Sequence, residues 1–232
     1  MSITAQLSAR ERINSLLDDK SFVEVGAFVT KRSTDFNLEQ KEIPGDGVIT
    51  GYGLIHGKPV YVYSQDSSSL GGSLGEMHAK KIAQVYDLAL KCGAPVIGLI
   101  DSTGMRLQEA TDALNGLGSI YQKQVMASGV IPQISAIFGN CGGGQAVMTS
   151  LSDFVFIEEN NARFFLQTPD SLQGNYKQKL DTSSAKFNSQ SGTVDYIGET
   201  DADVLDKIRE LVAILPSNNE DDGCFSDCSD DL

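Results

Sequence analysis

Apolar residues recur at helical spacing in some stretches of the chain and run together in others, and the two patterns divide it into elements. Ile13, Leu16 and Leu17 share one face of a helix predicted over residues 8–17. Ser8 can cap that helix, and Glu11 stands three residues on, the capping-box spacing. Residues 33–42 are polar and read as a loop. Residues 47–55 and 59–63 carry strand-forming and small residues, with His56-Gly57 as a hairpin turn between them. A small-residue loop follows over 67–75. Ile82, Val85, Tyr86 and Ala89 then predict a helix over 76–91, stopped by Gly93. Residues 95–100 form an apolar run without alternation, as in a buried strand. Leu117, Ile120, Tyr121 and Val125 give one side of a helix over 112–127, and 131–138 is a second buried strand. A third helix is predicted over 142–151, and short strands over 154–157 and 163–166. Residues 171–192 are polar and weakly patterned and read as a loop. Val204, Ile208, Leu211 and Leu215 form the stripe of a last helix over 201–215, ended by Pro216. No internal repeat is present.

This order is an α/β layout of the βαβαβ kind, for which near-parallel strands with right-handed crossovers are the expected solution. Ligands in such sheets sit at the carboxyl ends of the strands.

With 232 residues the chain is long enough to bury a sizeable core, and 41% hydrophobic residues agree with a globular protein. The net charge of −13 disfavours nucleic-acid binding. Glu220, Asp221, Asp222, Asp227, Asp230 and Asp231 contribute −6 of it, leaving −7 for the rest, so residues 217–232 read as an acidic linker or tail. The first twelve residues lack the apolar run of a signal peptide, and no stretch approaches the roughly 20 apolar residues of a membrane span. A cytoplasmic protein is expected. Cys92 and Cys141 read as free thiols. Cys224 and Cys228 form a CxxxC pair with no further Cys or His nearby, so two linker thiols are expected and no metal site.

The strongest local signal is Gly139-Asn140-Cys141-Gly142-Gly143-Gly144, where an apolar strand ends and a helix begins. Glycines let a ligand oxygen approach backbone amides closely, as in an oxyanion hole. The same run serves equally well as a tight turn with close helix–strand packing. Its spacing is not a dinucleotide fingerprint, and no Walker lysine follows. Gly71-Gly72-Ser73-Leu74-Gly75 matches GxSxG, but the only histidines are His56 and His78, and no acid–histidine pair follows Ser73 in the order a hydrolase needs. A small-residue loop packed near a ligand is the better reading. His78 is expected on the surface or as a helix cap. Asp101, Arg106 and Glu109 follow a buried strand. They are candidate site residues or, alternatively, a helix start on which Arg106 and Glu109 pair.

Asp46-Gly-Val-Ile-Thr-Gly51, Ser64-Gln-Asp66, Gly71-Gly-Ser-Leu74, Ala94-Pro-Val-Ile-Gly98, Asp101-Ser, Gly104, Arg106-Leu-Gln-Glu109, Ala127-Ser-Gly-Val-Ile-Pro-Gln133 and Cys141 with its glycines occur in one order. With Ala9-Arg-Glu-Arg-Ile13 and Ser21-Phe-Val-Glu24 ahead of them, the set resembles the carboxyltransferase component of biotin-dependent acyl-CoA carboxylases and decarboxylases. It is similar to the N-terminal half of that component.

The resemblance implies a crotonase-like β-β-α superhelix, with residues 1–216 as a single N-terminal carboxyltransferase domain. It implies carboxyl transfer between carboxybiotin on a biotin carboxyl carrier protein and the α-carbon of a coenzyme A thioester. In that chemistry the ureido nitrogen takes the α-proton, the thioester enolate attacks CO2, and amides stabilise the two charged oxygens. The catalytic amides on the biotin side map onto Gly143 and Gly144. Gly71, Gly72, Thr103, Gly104 and Gly142 map onto binding positions. The second oxyanion hole is expected in a C-terminal half or subunit, within a homo- or hetero-oligomer. The sequence departs from the family at Thr103 and Met105, which put the acyl group in question, at Gly142 and at Asn188. Two other readings stand beside this one: a crotonase-like acyl-CoA hydratase or thioesterase using Glu109, and a non-catalytic CoA-binding scaffold half.

Overall fold

In the computed structural model, residues 6–31, 45–171 and 180–221 are described. The polar segment 33–42, much of 171–192, and Cys224 and Cys228 lie outside them wholly or in part.

Helix α1 (Ala9–Leu16) has the expected capping box, closed in both directions between Ser8 and Glu11. Strands β1 (Val23–Glu24), β2 (Val48–Ile55) and β3 (Lys58–Gln65) pair antiparallel. Beyond them come α2 (Glu76–Cys92), β4 (Val96–Ile100), α3 (Ala110–Ala127), β5 (Gln133–Ile137), β6 (Asn140–Gly142) and α4 (Gly144–Ser150). The chain continues through β7 (Phe154–Glu158), β8 (Arg163–Phe165), α5 (Ala185–Ser191), β9 (Tyr196–Gly198) and α6 (Asp201–Ile214). The main sheet runs β1-β2-β3-β4-β5-β7-β9 and is parallel from β3 onward.

Alternate residues of the central strands serve two cores. Tyr61, Tyr63, Val96, Ile100, Ile137, Val155 and Ile157 face α2 and α3, packing with Ile82, Val85, Tyr86, Leu117 and Ile120. Val60, Val62, Ile97, Leu99, Ile134, Ala136 and Phe156 face the other way, onto Ile13 and Leu16 of α1 and Val204, Leu205 and Ile208 of α6. A strand covered on both sides has no polar face, which explains the unbroken apolar runs. Each Val, Ile, Leu or Phe side chain among them contributes about 1.5–3 kcal/mol on burial.

A second ladder lies beside the main sheet. β6 pairs parallel with β8, and an isolated parallel bridge joins Leu74 to Met105. Each turn of chain therefore goes from main strand to short strand to helix: β5, β6, α4, then β7, β8, α5. That is the β-β-α repeat. Because the main strands are parallel, the segments following β3, β4 and β5 emerge at one edge of the sheet, and these segments build the candidate site.

Several expectations need correction. Residues 140–142 form a short strand within the expected turn, so Gly142 is not helical and α4 begins at Gly144. Val125 is 64% exposed, because Gln124 takes the inward position and donates to Met148 O at 2.9 Å. The stretch read as a loop contains α5, capped by Ser184 and closed by Gly192 in the left-handed region. His78 is fully buried, not a surface or capping residue.

Candidate active site

Three loops converge at the carboxyl edge: 66–75 after β3, 101–106 after β4, and 138–144 after β5. Main-chain bonds lock the first two together. Thr103 N–H donates to Gly71 O at 2.9 Å, Leu74 N–H to Gly104 O at 2.9 Å, and Arg106 N–H to Leu74 O at 2.9 Å. The glycines of loop 66–75 are dictated by this contact. Gly72 has φ +65°, and a Cβ there would collide with Asp101 O. A Cβ on Gly71 would lie 2.9 Å from the Thr103 methyl. Thr103 is exposed and Gly104 half-buried, and a Cβ on Gly104 would meet nothing within 4 Å.

The third loop is tied to the second by Ser102 N–H, which donates to Asn140 O at 3.0 Å. Gly139 approaches the Asp101 carboxylate so closely that any Cβ would collide with it. Gly142 packs on the Phe165 ring. Gly143 adopts φ 60°, ψ −126°, a conformation that L side chains rarely enter, and its N–H is taken by Phe165 O at 3.1 Å. Its effect is to reverse the chain so that the next peptides open onto the edge. Ala146 and Val147 N–H both turn back to Gly143 O. Gly144 and Gln145 N–H have no such backbone acceptor among the described residues. Tyr121 Oη donates to Gly144 O at 2.6 Å and fixes the Gly144–Gln145 peptide. A Cβ on Gly143 would meet nothing within 4 Å, so it is conformation rather than packing that asks for glycine there.

Met105 stood out in the sequence only by its side chain, and its backbone N–H as a candidate donor was not legible there. In its bridge Leu74 uses both its N–H and its C=O, so the Met105 N–H points away from Leu74. That is the side on which Ser102 meets Asn140. The signal lay in the parallel pairing, which no local pattern of residue types announces.

Behind these loops lies a buried polar network. Arg106 Nη1 reaches Asp46 at 2.6 Å and Glu109 at 2.8 Å, while Nη2 donates to Ser73 O at 2.8 Å. Arg106 and Glu109 thus pair on one turn, and Glu109 also accepts from Glu76 N–H at 2.6 Å. Its carboxylate is committed to holding the fold. Ser73 Oγ accepts from Arg106 Nε at 3.3 Å, and no histidine or carboxylate among the described residues accepts its proton. His78 N–H donates to Asp46 Oδ2 at 2.8 Å, and its Nδ1 faces Asp46 O at 3.0 Å. Burial, with the Arg106 and Lys81 charges nearby, holds the His78 pKa down at about 3, so its ring is neutral. Burial likewise raises the Asp46 carboxyl above its usual value, with Arg106 opposing. Lys81 donates to Gly45 O at 2.9 Å and to Val48 O, and burial lowers it to about 8. Cys141 is buried against Thr149 Oγ1 at 3.2 Å, and burial pushes its thiol up to about 12, which removes it as a nucleophile. Among the described residues no group of His, Cys, Asp and Glu could hold a metal.

A cavity of about 490 Å3 lies beside α4, lined by apolar groups including Ala146, Val147, Phe164, Phe165 and Leu166, with Asn188 at its wall. Asn188 is engaged there, its Nδ2 donating to Phe164 O at 2.9 Å. No helix among the described residues is long and apolar enough to cross a membrane.

A family model described as the carboxyl transferase domain matches residues 4–231. The chain is 46% identical over 230 residues to the methylmalonyl-CoA decarboxylase subunit alpha of Veillonella parvula, covering 97% of this chain and 45% of that protein. It is 43% identical over 220 residues to the propionyl-CoA carboxylase beta chain of Roseobacter denitrificans, covering 93% and 43%. Among solved structures, transcarboxylase 12S, a hexamer with hydrolysed methylmalonyl-coenzyme A bound, superposes with a TM-score of 0.91 at 36% identity, covering 97% and 45%. A chain of the Pseudomonas malonate decarboxylase hetero-tetramer superposes with a TM-score of 0.76 at 27% identity, covering 89% and 81%. The chain thus spans about half the length of the curated relatives it matches.

Proposed function

The chain belongs to the carboxyl transferase domain family and has its crotonase-like fold, and from that premise we propose that it forms one half of a biotin-dependent acyl-CoA carboxyltransferase. The observation that carries the proposal is the pair of amides at Gly144 and Gln145, left without backbone acceptors among the described residues and following Gly143, where a Cβ would meet nothing within 4 Å. Charge that develops on an oxygen there meets pre-aimed donors, which is the main catalytic device such a reaction needs from a protein. In this reading Gly143 sets the turn and Gly144 supplies an N–H. Gly142 brings Phe165 under them, and Met105 N–H approaches from the neighbouring loop. Gly71, Gly72, Thr103 and Gly104 form the wall along which the CoA moiety lies, with Gly72 acting by packing and Gly104 leaving room.

Carboxybiotin, delivered on a biotin carboxyl carrier protein, supplies the CO2 and the ureido base. The residues of this chain hold an oxygen in place, fix the peptide planes and keep titratable side chains out of the reaction. The second oxyanion site belongs to a C-terminal half or subunit, in a homo- or hetero-oligomer. Residues 1–216 form the domain and 217–232 the acidic linker, in a cytoplasmic enzyme. The malonate decarboxylase likeness, in which this chain covers 81% of one subunit of a hetero-tetramer, supports separate halves as a workable arrangement. A hydratase or thioesterase based on Glu109 is disfavoured, because its carboxylate already holds Arg106 and the first N–H of α2.

The test is decarboxylation of malonyl-CoA or methylmalonyl-CoA with free biotin, with and without the complementary half. Turnover that requires both biotin and the second half is expected, with the isolated chain almost inactive. Biotin-independent hydration by the chain alone would overturn the reading.

A further inference from the structure

A single buried side chain joins the two loops that carry the candidate amides. Gln145, the second residue of α4, is 1% exposed. Its Nε2 donates to Ser102 Oγ at 2.7 Å, and its Oε1 accepts from Gln65 Nε2 at 3.0 Å. Ser102 Oγ in turn accepts from Gly104 N–H at 3.1 Å. Gln145 therefore links the start of α4 to the strip 102–104, whose main chain leads directly into Met105.

The direction of this chain of bonds is fixed from its far end. His78 Nδ1 faces the carbonyl of Asp46, which only accepts, so the ring proton sits on Nδ1 and Nε2 is an acceptor. The neutral ring accepts from Gln65 Nε2 at 3.3 Å. Gln65 Oε1 accepts from Asp101 N–H at 3.2 Å, so the Gln65 amide cannot turn over without losing that bond. Its remaining Nε2 proton then requires Gln145 to present oxygen, which aims the Gln145 nitrogen at Ser102. Asp46, His78, Gln65, Gln145 and Ser102 thus form one polarised rod through a buried region. Reversing any amide within it leaves a buried donor facing a donor, at a cost of about 1–3 kcal/mol.

We propose that Gln145 is a positioning residue. Its carboxamide, set by His78 through Gln65, holds Ser102 and with it the 102–105 strip in register with the Gly144–Gln145 peptide, so that amides from both loops meet one oxygen. The proposal rests on the carboxyltransferase reading above.

Gln145→Met keeps length and burial but removes both bonds, and Ser102→Ala removes the other end of the link. In the assembly with the complementary half, each is expected to lower kcat about 10- to 100-fold, the scale of a small misplacement of reacting groups. KM for the acyl-CoA should change less than about threefold, because uniform binding is untouched. The double variant should be no slower than the slower single variant, since both break one link. Amide hydrogen exchange on the full chain should show Gly104 accelerated at least about tenfold in Gln145→Met, with the β4 and β5 amides unchanged, because local opening alone is altered. If wild type turns over and Gln145→Met stays within twofold of it in kcat, or the two losses multiply, the positioning role is wrong. Exchange accelerated throughout the sheet would also overturn it, as general destabilisation. A wild-type assembly without biotin-dependent turnover would instead remove the carboxyltransferase reading and the proposal with it.

Discussion

Two residues at the candidate site act through conformation and protonation rather than through contact with a ligand. At Gly143 nothing obstructs a Cβ; the constraint is φ 60°, ψ −126°. Gly143→Ala is therefore expected to fold, with a loss of about 1–3 kcal/mol for holding a non-glycine residue there. Relaxation of that strain would rotate the following peptide, and turnover in the assembled enzyme should fall about 100- to 1,000-fold, the cost of losing one oxyanion donor. A denaturation curve and a turnover assay on the same variant check both parts. His78 makes a pH prediction. Its pKa is about 3 in the fold against 6.5 for the free group, so below 6.5 the unfolded chain binds a proton that the folded one refuses. Its contribution to stability is complete above 6.5 and is lost progressively as pH falls toward 3. The raised carboxyls of Asp46 and Asp201 act with the opposite sign in acid, since there the fold takes up protons first. Urea midpoints measured from pH 7.5 to 4.5 should therefore fall more steeply for wild type than for His78→Gln. Parallel curves would mean that His78 titrates normally.

Elements that are long and carry one clean period were legible in the sequence: α1 with its capping box, the β2–β3 hairpin, α2 with its glycine stop, the buried strands β4 and β5, and α6. The missed elements are short. β6 and β9 have three residues each, and α5 has seven, too few for a period to emerge from polar surroundings. Ser184 and Gly192 were visible signals of the α5 ends, but its side chains carry almost no apolar stripe. The candidate site was legible as a glycine turn, because a positive φ and close approaches of side chains leave glycine in the sequence. Its partners were not. His78, Gln65 and Gln145 meet only through the sheet register, at separations of 13 and 80 residues. Arg12 shows the same limit, for it joins elements 89 and 189 residues apart. It is 1% exposed, lies 4.6 Å from the Phe138 ring centroid, and bonds Asp101 at 3.2 Å and Asp201 at 3.0 Å. It thereby ties α1 to the end of β4 and the start of α6. Arg12→Met leaves two buried carboxylates without their cation and should destabilise the fold by about 3–5 kcal/mol at pH 7. Mild acid should recover part of that loss, because burial already raises the Asp201 carboxyl and Arg12 no longer opposes it. An unfolding midpoint within 1 kcal/mol of wild type at pH 7 would show the pair to be dispensable.

At the scale of the whole molecule, the uneven charge bears on how the anionic acyl-CoA proposed above would be received. The chain carries −13, of which −6 lies from Glu220 onward. Just ahead of that segment the chain is anchored: Asn218 Nδ2 donates to Gly93 O at 2.8 Å, and Asn219 N–H to Val130 O at 2.9 Å. Gly93 and Val130 precede β4 and β5, at the amino ends of the parallel strands. The candidate site is at their carboxyl ends, and five residues of strand span roughly 17 Å. Screening falls off over about 8 Å at 0.15 M salt and about 30 Å at 0.01 M. Removing residues 222–232, with Asp222, Asp227, Asp230 and Asp231, should therefore change the Kd for propionyl-CoA by less than about twofold at 0.15 M salt. At 0.01 M the truncated chain should bind more tightly than the full one, because four fewer negative charges lessen a repulsion that is then only weakly screened. Calorimetric titration at the two ionic strengths separates the cases. Tighter binding of equal size at both would mean that the acidic segment meets the ligand directly, and weaker binding after truncation would mean that it helps to build the site.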